Sequence, residues 1–115
     1  MFTPDMLQET ISKIEARLKN AGTLKDDQKT ELLQLLSTLK GEITTLSDTH
    51  GERAQSIAGF TEVSTHEATR AEKHPELLKL SVQGLASSVE GFEKSHPSLV
   101  ALVNRIATTL SNMGI

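Results

Sequence analysis

The residues of this 115-residue chain that could move a proton or hold a metal ion are its four histidines, His50, His66, His74 and His96. Either chemistry needs them to converge with carboxylates within a few ångströms. The spacing gives no such convergence. His66 and His74 are eight positions apart, two turns on one straight helix, too far to share an ion. Glu62, His66 and Arg70 fall at i, i+4 and i+8, which reads as a solvated charge ladder. No His-Glu-x-x-His is present. His96 sits on an apolar register directly before Pro97, and its expected place is a helix corner with the ring packed and a nitrogen donating to a carbonyl. The carboxylate pairs Asp26 with Asp27 and Glu90 with Glu93 lie on polar faces, where water surrounds them and makes them poor acids at neutral pH. With no cysteine there is no disulfide, thiolate zinc site, iron–sulfur cluster or cysteine nucleophile. The glycines are scattered, so no phosphate loop forms. No catalytic, cofactor-binding or metal-ligating residue is assigned, no cofactor is expected, and the chain is read as not an enzyme.

Composition narrows the partners. The chain has 12 basic and 15 acidic residues and a formal charge of −3. Phosphate neutralisation needs clustered Lys and Arg, so nucleic acid is a poor match. With three Phe and no Trp or Tyr, stacking platforms for single strands are missing too. No window approaches the roughly 18 apolar residues of a membrane span. The densest apolar stretch, 99–110, carries Asn104, Arg105, Thr108 and Thr109. The amphipathic stretches mix charge signs on their polar faces, which does not suit an anionic membrane surface. Met1-Phe2-Thr3-Pro4-Asp5 shows neither the basic nor the apolar part of a secretory signal, so the expected location is cytoplasmic.

The elements that must position these residues read as helices throughout. Thr3 is placed to cap a first helix, with Pro4 at its first position and Leu7, Ile11, Ile14 and Leu18 as a stripe. Asn20-Ala21-Gly22 ends it, with Gly22 suited to a left-handed cap. Asp26 and Asp27 then open a second helix, where negative charge suits the dipole. Leu32, Leu36, Leu39, Ile43 and Leu46 run along it, widened by Leu33 and Leu35. The short connection makes these two helices an antiparallel hairpin.

Beyond the break at Asp48-Thr49-His50-Gly51 the character changes. Ile57, Phe60 and Val63 give one short apolar patch among alanines. Ser64 and Glu67 have capping-box spacing, so a helix can restart there. With few large apolar side chains, residues 48–74 are expected to be helical but weakly anchored and mobile. His74-Pro75 opens a third strong pattern of Leu78, Val82, Leu85, Val89 and Phe92. After Ser95-His96-Pro97 the stripe continues as Leu99, Val103, Ile106, Leu110 and Met113. The clustering of Gly91, Ser95 and Pro97 favours two helices meeting there over one kinked helix. His74-Pro75 and His96-Pro97 echo each other as two helix starts. At the end, Gly114 is placed as a left-handed residue that folds Ile115 back on Leu110.

The fold class is therefore all-α: helical hairpins forming a small bundle with coiled-coil-like packing and four or five helices. The domain reading is a single unit over 1–115, with an N-terminal hairpin at 1–47, the weak segment at 48–74 and the C-terminal helices at 75–115. Residues 97–115 hold one charge, Arg105, among many apolar side chains. A helix that apolar needs cover on several sides, from its own chain or from another. A homodimer that completes the bundle is expected, with Leu99, Leu102, Val103, Ile106, Leu110 and Met113 as the self-association residues; a closed monomeric bundle is the competing reading. The leading function is a non-enzymatic, self-associating protein-interaction module that presents a face to an unidentified protein partner. The alternative is a small-ligand or regulatory binding protein with an inter-helical cavity near His96.

Two runs resemble known families. Ser37-Thr38-Leu39-Lys40-Gly41 resembles the signature helix of histidine-phosphotransfer domains. It has Ser37 where the phosphorylated His belongs, so no phosphotransfer role carries over. Phe92-Glu93-Lys94-Ser95-His96-Pro97-Ser98-Leu99, with the closing Leu110-Ser111-Asn112-Met113-Gly114-Ile115, resembles the end of a family of small uncharacterised bacterial proteins, a domain of unknown function. Members of that family carry Phe-Glu-x-Ser-His-Pro-x-Leu and close on Met-Gly-Ile. The resemblance implies a bacterial, cytosolic, helical protein and supplies no activity, substrate or site residue. Residues 48–74 depart from it in length and in their richness in Ala and Thr.

Overall fold

The computed structural model describes residues 4–22 and 24–113. They form five helices: α1 (Pro4–Lys19), α2 (Asp26–Ser47), α3 (Gly51–Thr69), α4 (Pro75–Ser87) and α5 (Pro97–Met113). No strand occurs among the described residues, and none of their helices is long and apolar enough to cross a membrane. The caps placed at Thr3, Gly114 and Ile115 lie outside the described residues.

The apolar stripes become the core because side chains three and four apart share a helix face. Leu7, Ile11, Ile14 and Leu18 are buried along α1, and Leu32, Leu36, Leu39, Ile43 and Leu46 along α2. Leu78 and Leu85 come from α4, and Leu99, Val103, Ile106 and Leu110 from α5. The α1–α2 hairpin is tied on its outside by Lys40 to Glu15 at 2.7 Å. Its turn does not use Gly22 in a left-handed conformation; α1 closes instead on a hydrogen bond from the Ala21 N–H to the Leu18 carbonyl. The one positive φ among the described residues is at Gly91, 94°, in the connection from α4 to α5. That connection separates two helices, so the chain breaks before Pro97 and does not kink there.

The main difference from the sequence reading is α3. It runs without a restart at Ser64 and packs against all four other helices. A helix with four neighbours needs mostly small side chains so that the others can approach, and its buried residues are Ala54, Ile57, Ala58, Thr61, Ser64, Thr65, Glu67 and Ala68. The hydroxyls of Thr61 and Ser64 can be buried because their own helix supplies acceptors, whereas the buried Thr65 Oγ1 has no hydrogen-bond partner among the described residues. Thr61 Oγ1 donates to the Ile57 carbonyl at 2.7 Å, and Ser64 Oγ to the Phe60 carbonyl at 2.6 Å. Scarcity of large apolar residues, which suggests weak anchoring, here marks the central helix. The expected patch of Ile57, Phe60 and Val63 is divided accordingly: Ile57 is in the core, while Phe60 and Val63 are on the surface.

Candidate functional site

Three of the four histidines stand directly before a helix. His50 precedes α3, His74 precedes α4 and His96 precedes α5. His74 Nδ1 accepts from the Leu77 N–H at 3.4 Å, a long capping contact. The echo of His74-Pro75 and His96-Pro97 is thus a pair of helix starts. His50 and His96 meet at one end of the bundle around Phe92. The three rings are edge-on to one another, with centroids 5.2 Å apart for both histidines to Phe92 and 5.9 Å for His50 to His96. Each imidazole Nδ1 shares a hydrogen bond with the preceding hydroxyl, Thr49 at 2.7 Å and Ser95 at 2.9 Å.

Arg53 completes this corner. Its guanidinium lies 4.4 Å above the Phe92 ring. It donates to the Ser88 carbonyl, at the C-cap of α4, at 3.0 Å and to the Glu90 carbonyl in the turn that follows. The corner is therefore a clasp that joins the start of α3 to the end of α4 and the turn before α5. His66 is exposed on α3, far along the helix from this corner. No group of three His, Asp or Glu able to hold an ion exists among the described residues. Asp26, Asp27, Glu90 and Glu93 are exposed, as is Ser37. The buried Glu67 carboxylate is held by Arg70 at 3.0 Å. These polar groups are thus engaged in helix caps, in contacts between near neighbours in the chain and, at Arg53, in a tie between helices.

The residues proposed for self-association are divided by the fold. Leu99, Val103, Ile106 and Leu110 are each at most 1% exposed. α2, α3 and α4 of the same chain cover them. A second chain has nothing further to bury there. Leu102 and Met113 remain half-buried at the margin.

The apolar surface that stays open surrounds α4. This helix packs against α3 and α5 and, among the described residues, against neither α1 nor α2. On its α3 side Leu77 is 41% and Leu80 61% exposed, and on α3 Phe60 is 40% and Val63 48% exposed. The two helices are consecutive, joined by the short segment 70–74, and packed on each other with Phe60 against Gly84. The Phe60 ring lies so close over Gly84 that a Cβ there would come within 2.3 Å of it. Glycine in a helix interior costs about 1 kcal/mol against alanine, and here it lets the aromatic ring approach the helix backbone where a Cβ would stand. Arg17 of α1 lies beside Val63, Glu62 and His66 at one edge of the seam, and helical spacing puts the exposed Glu76, four positions before Leu80, at the outer edge on α4. The α4 stripe read from the sequence omits Leu77 and Leu80. Their apolar character outside that stripe is the signal that could have found this surface.

On its other side α4 forms a groove with the last turns of α5. The groove has a volume of about 620 Å³ and is lined by Lys73, Pro75, Leu78, Lys79, Val82, Gln83 and Ser111. His96 does not line it, so the inter-helical space of the sequence reading lies away from that histidine.

Residues 62–115 match the family model of a domain of unknown function, DUF4404. This agrees with the resemblance of the C-terminal run to an uncharacterised family. The matched part takes in the end of α3 with Val63, all of α4 and α5, and the groove between them. No curated protein and no solved structure matches the chain.

Proposed function

We propose that this chain is a non-enzymatic helical interaction module that pairs with a second copy of itself across the α3–α4 seam. The observation that carries the reading is the row of Phe60, Val63, Leu77 and Leu80, four of the five large apolar side chains left exposed among the described residues, gathered on one seam. Aromatic and aliphatic side chains held against a rigid backbone are what binding hot spots are made of. Phe60 is held in that way by Gly84.

The charges at the edges favour a second copy as the occupant. Arg17 borders one edge and Glu76 the other, and neither has an ion-pair partner among the described residues. A two-fold axis running along the seam sets each Arg17 against the Glu76 of its copy, the self-complementarity that isologous pairing requires. The non-enzymatic part of the reading is supported by the use of the polar groups at the histidine corner as caps, local contacts and the Arg53 tie. The interface is small, so dissociation in the micromolar range is expected.

Leu80→Glu tests the reading. Leu80 is 61% exposed, so the change should leave the melting temperature close to that of the wild type. In sedimentation equilibrium the wild type should rise towards twice 12.5 kDa with concentration, and Leu80→Glu should stay at 12.5 kDa. A wild type that stays at the single-chain mass up to about 200 µM, or a variant that pairs as well as the wild type, refutes it.

A further inference from the structure

We infer that the groove between α4 and α5 binds an anionic amphiphile, a single medium-length acyl chain ending in a carboxylate. The inference is independent of pairing, because the groove opens on the α5 side of α4 and the seam on its α3 side. Pro75, Leu78 and Val82 recur at three- and four-residue spacing and form an apolar floor along one side of α4. Ser111 of α5 stands on the opposite wall, and Gln83 closes the outer edge. A mostly apolar concavity of about 620 Å³ with a few polar groups at its edge has the make-up of a small-molecule site.

Charge selects the ligand. The ionisable residues that line the groove are Lys73 and Lys79, and no acid lines it. Lys73 Nζ is held at the rim by its hydrogen bond to the Ala68 carbonyl at 2.5 Å. Lys79 is exposed and makes no hydrogen bond or ion pair among the described residues, not even with Glu76 three positions before it. A carboxylate at the rim would meet a free ammonium and a fixed one while its chain covers the apolar floor. Length selects against a helical peptide. From Pro75 to Gln83 the floor runs about 12 Å at 1.5 Å per residue. That suits an extended chain of medium length and is short for the apolar face of a partner helix, which needs three turns or more to be stable.

The test is a heteronuclear NMR titration with decanoate below its micelle concentration, suited to a chain without Trp or Tyr. Saturable shifts confined to residues 73–83 and the last turns of α5 are expected, with decyltrimethylammonium binding at least tenfold more weakly. Lys79→Glu should weaken decanoate at least tenfold with the fold intact, because Lys79 is exposed. Val82→Phe, which fills the floor without changing charge, should abolish the shifts. Equal binding of the cationic analogue, unchanged affinity in Lys79→Glu, or no saturable shift with decanoate would overturn the inference. So would shifts that appear only with anionic phospholipid vesicles.

Discussion

Ile106→Asp should abolish the cooperative thermal transition of this chain. Ile106 is fully buried at the middle of α5, a helix covered by α2, α3 and α4. Removing the side chain costs about 2–5 kcal/mol in burial and cavity terms. An unpaired carboxylate in the same place adds several kcal/mol or takes up a proton to avoid it. A domain of this size has about 5–15 kcal/mol in total. Circular dichroism should therefore show the helix signal lost at 25 °C, or melting without cooperativity. Ile106→Val removes one methylene and should cost only about 0.5–1.5 kcal/mol. It should also leave pairing untouched, because Ile106 serves its own chain's core. A folded Ile106→Asp chain with wild-type melting would show that α5 is not where the structure puts it.

Arg53→Ala should be the most damaging change at a residue that is not part of the apolar core. Arg53 joins the start of α3 to the carbonyls of Ser88 and Glu90 and stacks on Phe92. Charge-assisted hydrogen bonds contribute about 1.5–3 kcal/mol, and a cation over an aromatic face about 0.5–1 kcal/mol at a partly exposed site. The terms are not additive, and a loss of about 2–3 kcal/mol is expected. At this chain length that lowers the melting temperature by about 8–15 °C. Arg53→Lys should recover less than half of the loss, since an ammonium that reaches the two carbonyls leaves no planar cation over the Phe92 ring. A variant within a degree or two of the wild type would mean that the clasp does not hold this end of the bundle.

How much of this was legible depends on what a residue type reports. Leu7 to Leu18, Leu32 to Leu46 and Leu99 to Leu110 announce themselves, because large apolar side chains at 4-3 spacing have one stable use in water. Pro75 and Pro97 mark helix starts for a backbone reason that holds in any fold. The role of α3 was not legible. Ala58 and Thr61 carry little periodic signal, and only the presence of four neighbours turns small side chains into the centre of a core. The position of the apolar C-terminal helix followed from the same missing fact. Its stripe needs cover, as the sequence says, but whether α2 to α4 or a second chain supplies it is a property of the tertiary arrangement. The seam was hidden in turn because Phe60 and Val63 read as one short patch with Ile57, which the fold sends to the core while the other two stay on the surface. The pairing of Arg53 with the end of α4 joins positions 35 and 37 apart in the chain, beyond any local pattern.

The most direct test of pairing across the α3–α4 seam is a charge exchange followed by sedimentation. In Arg17→Glu both edges of the seam carry a negative charge, and in Glu76→Arg both carry a positive one. Each variant alone should pair at least tenfold more weakly than the wild type. An equimolar mixture restores an attractive contact at both edges of the mixed pair and should again sediment towards twice the mass of one chain. A mixture that stays at the single-chain mass, or variants that pair alone as tightly as the wild type, would contradict the account.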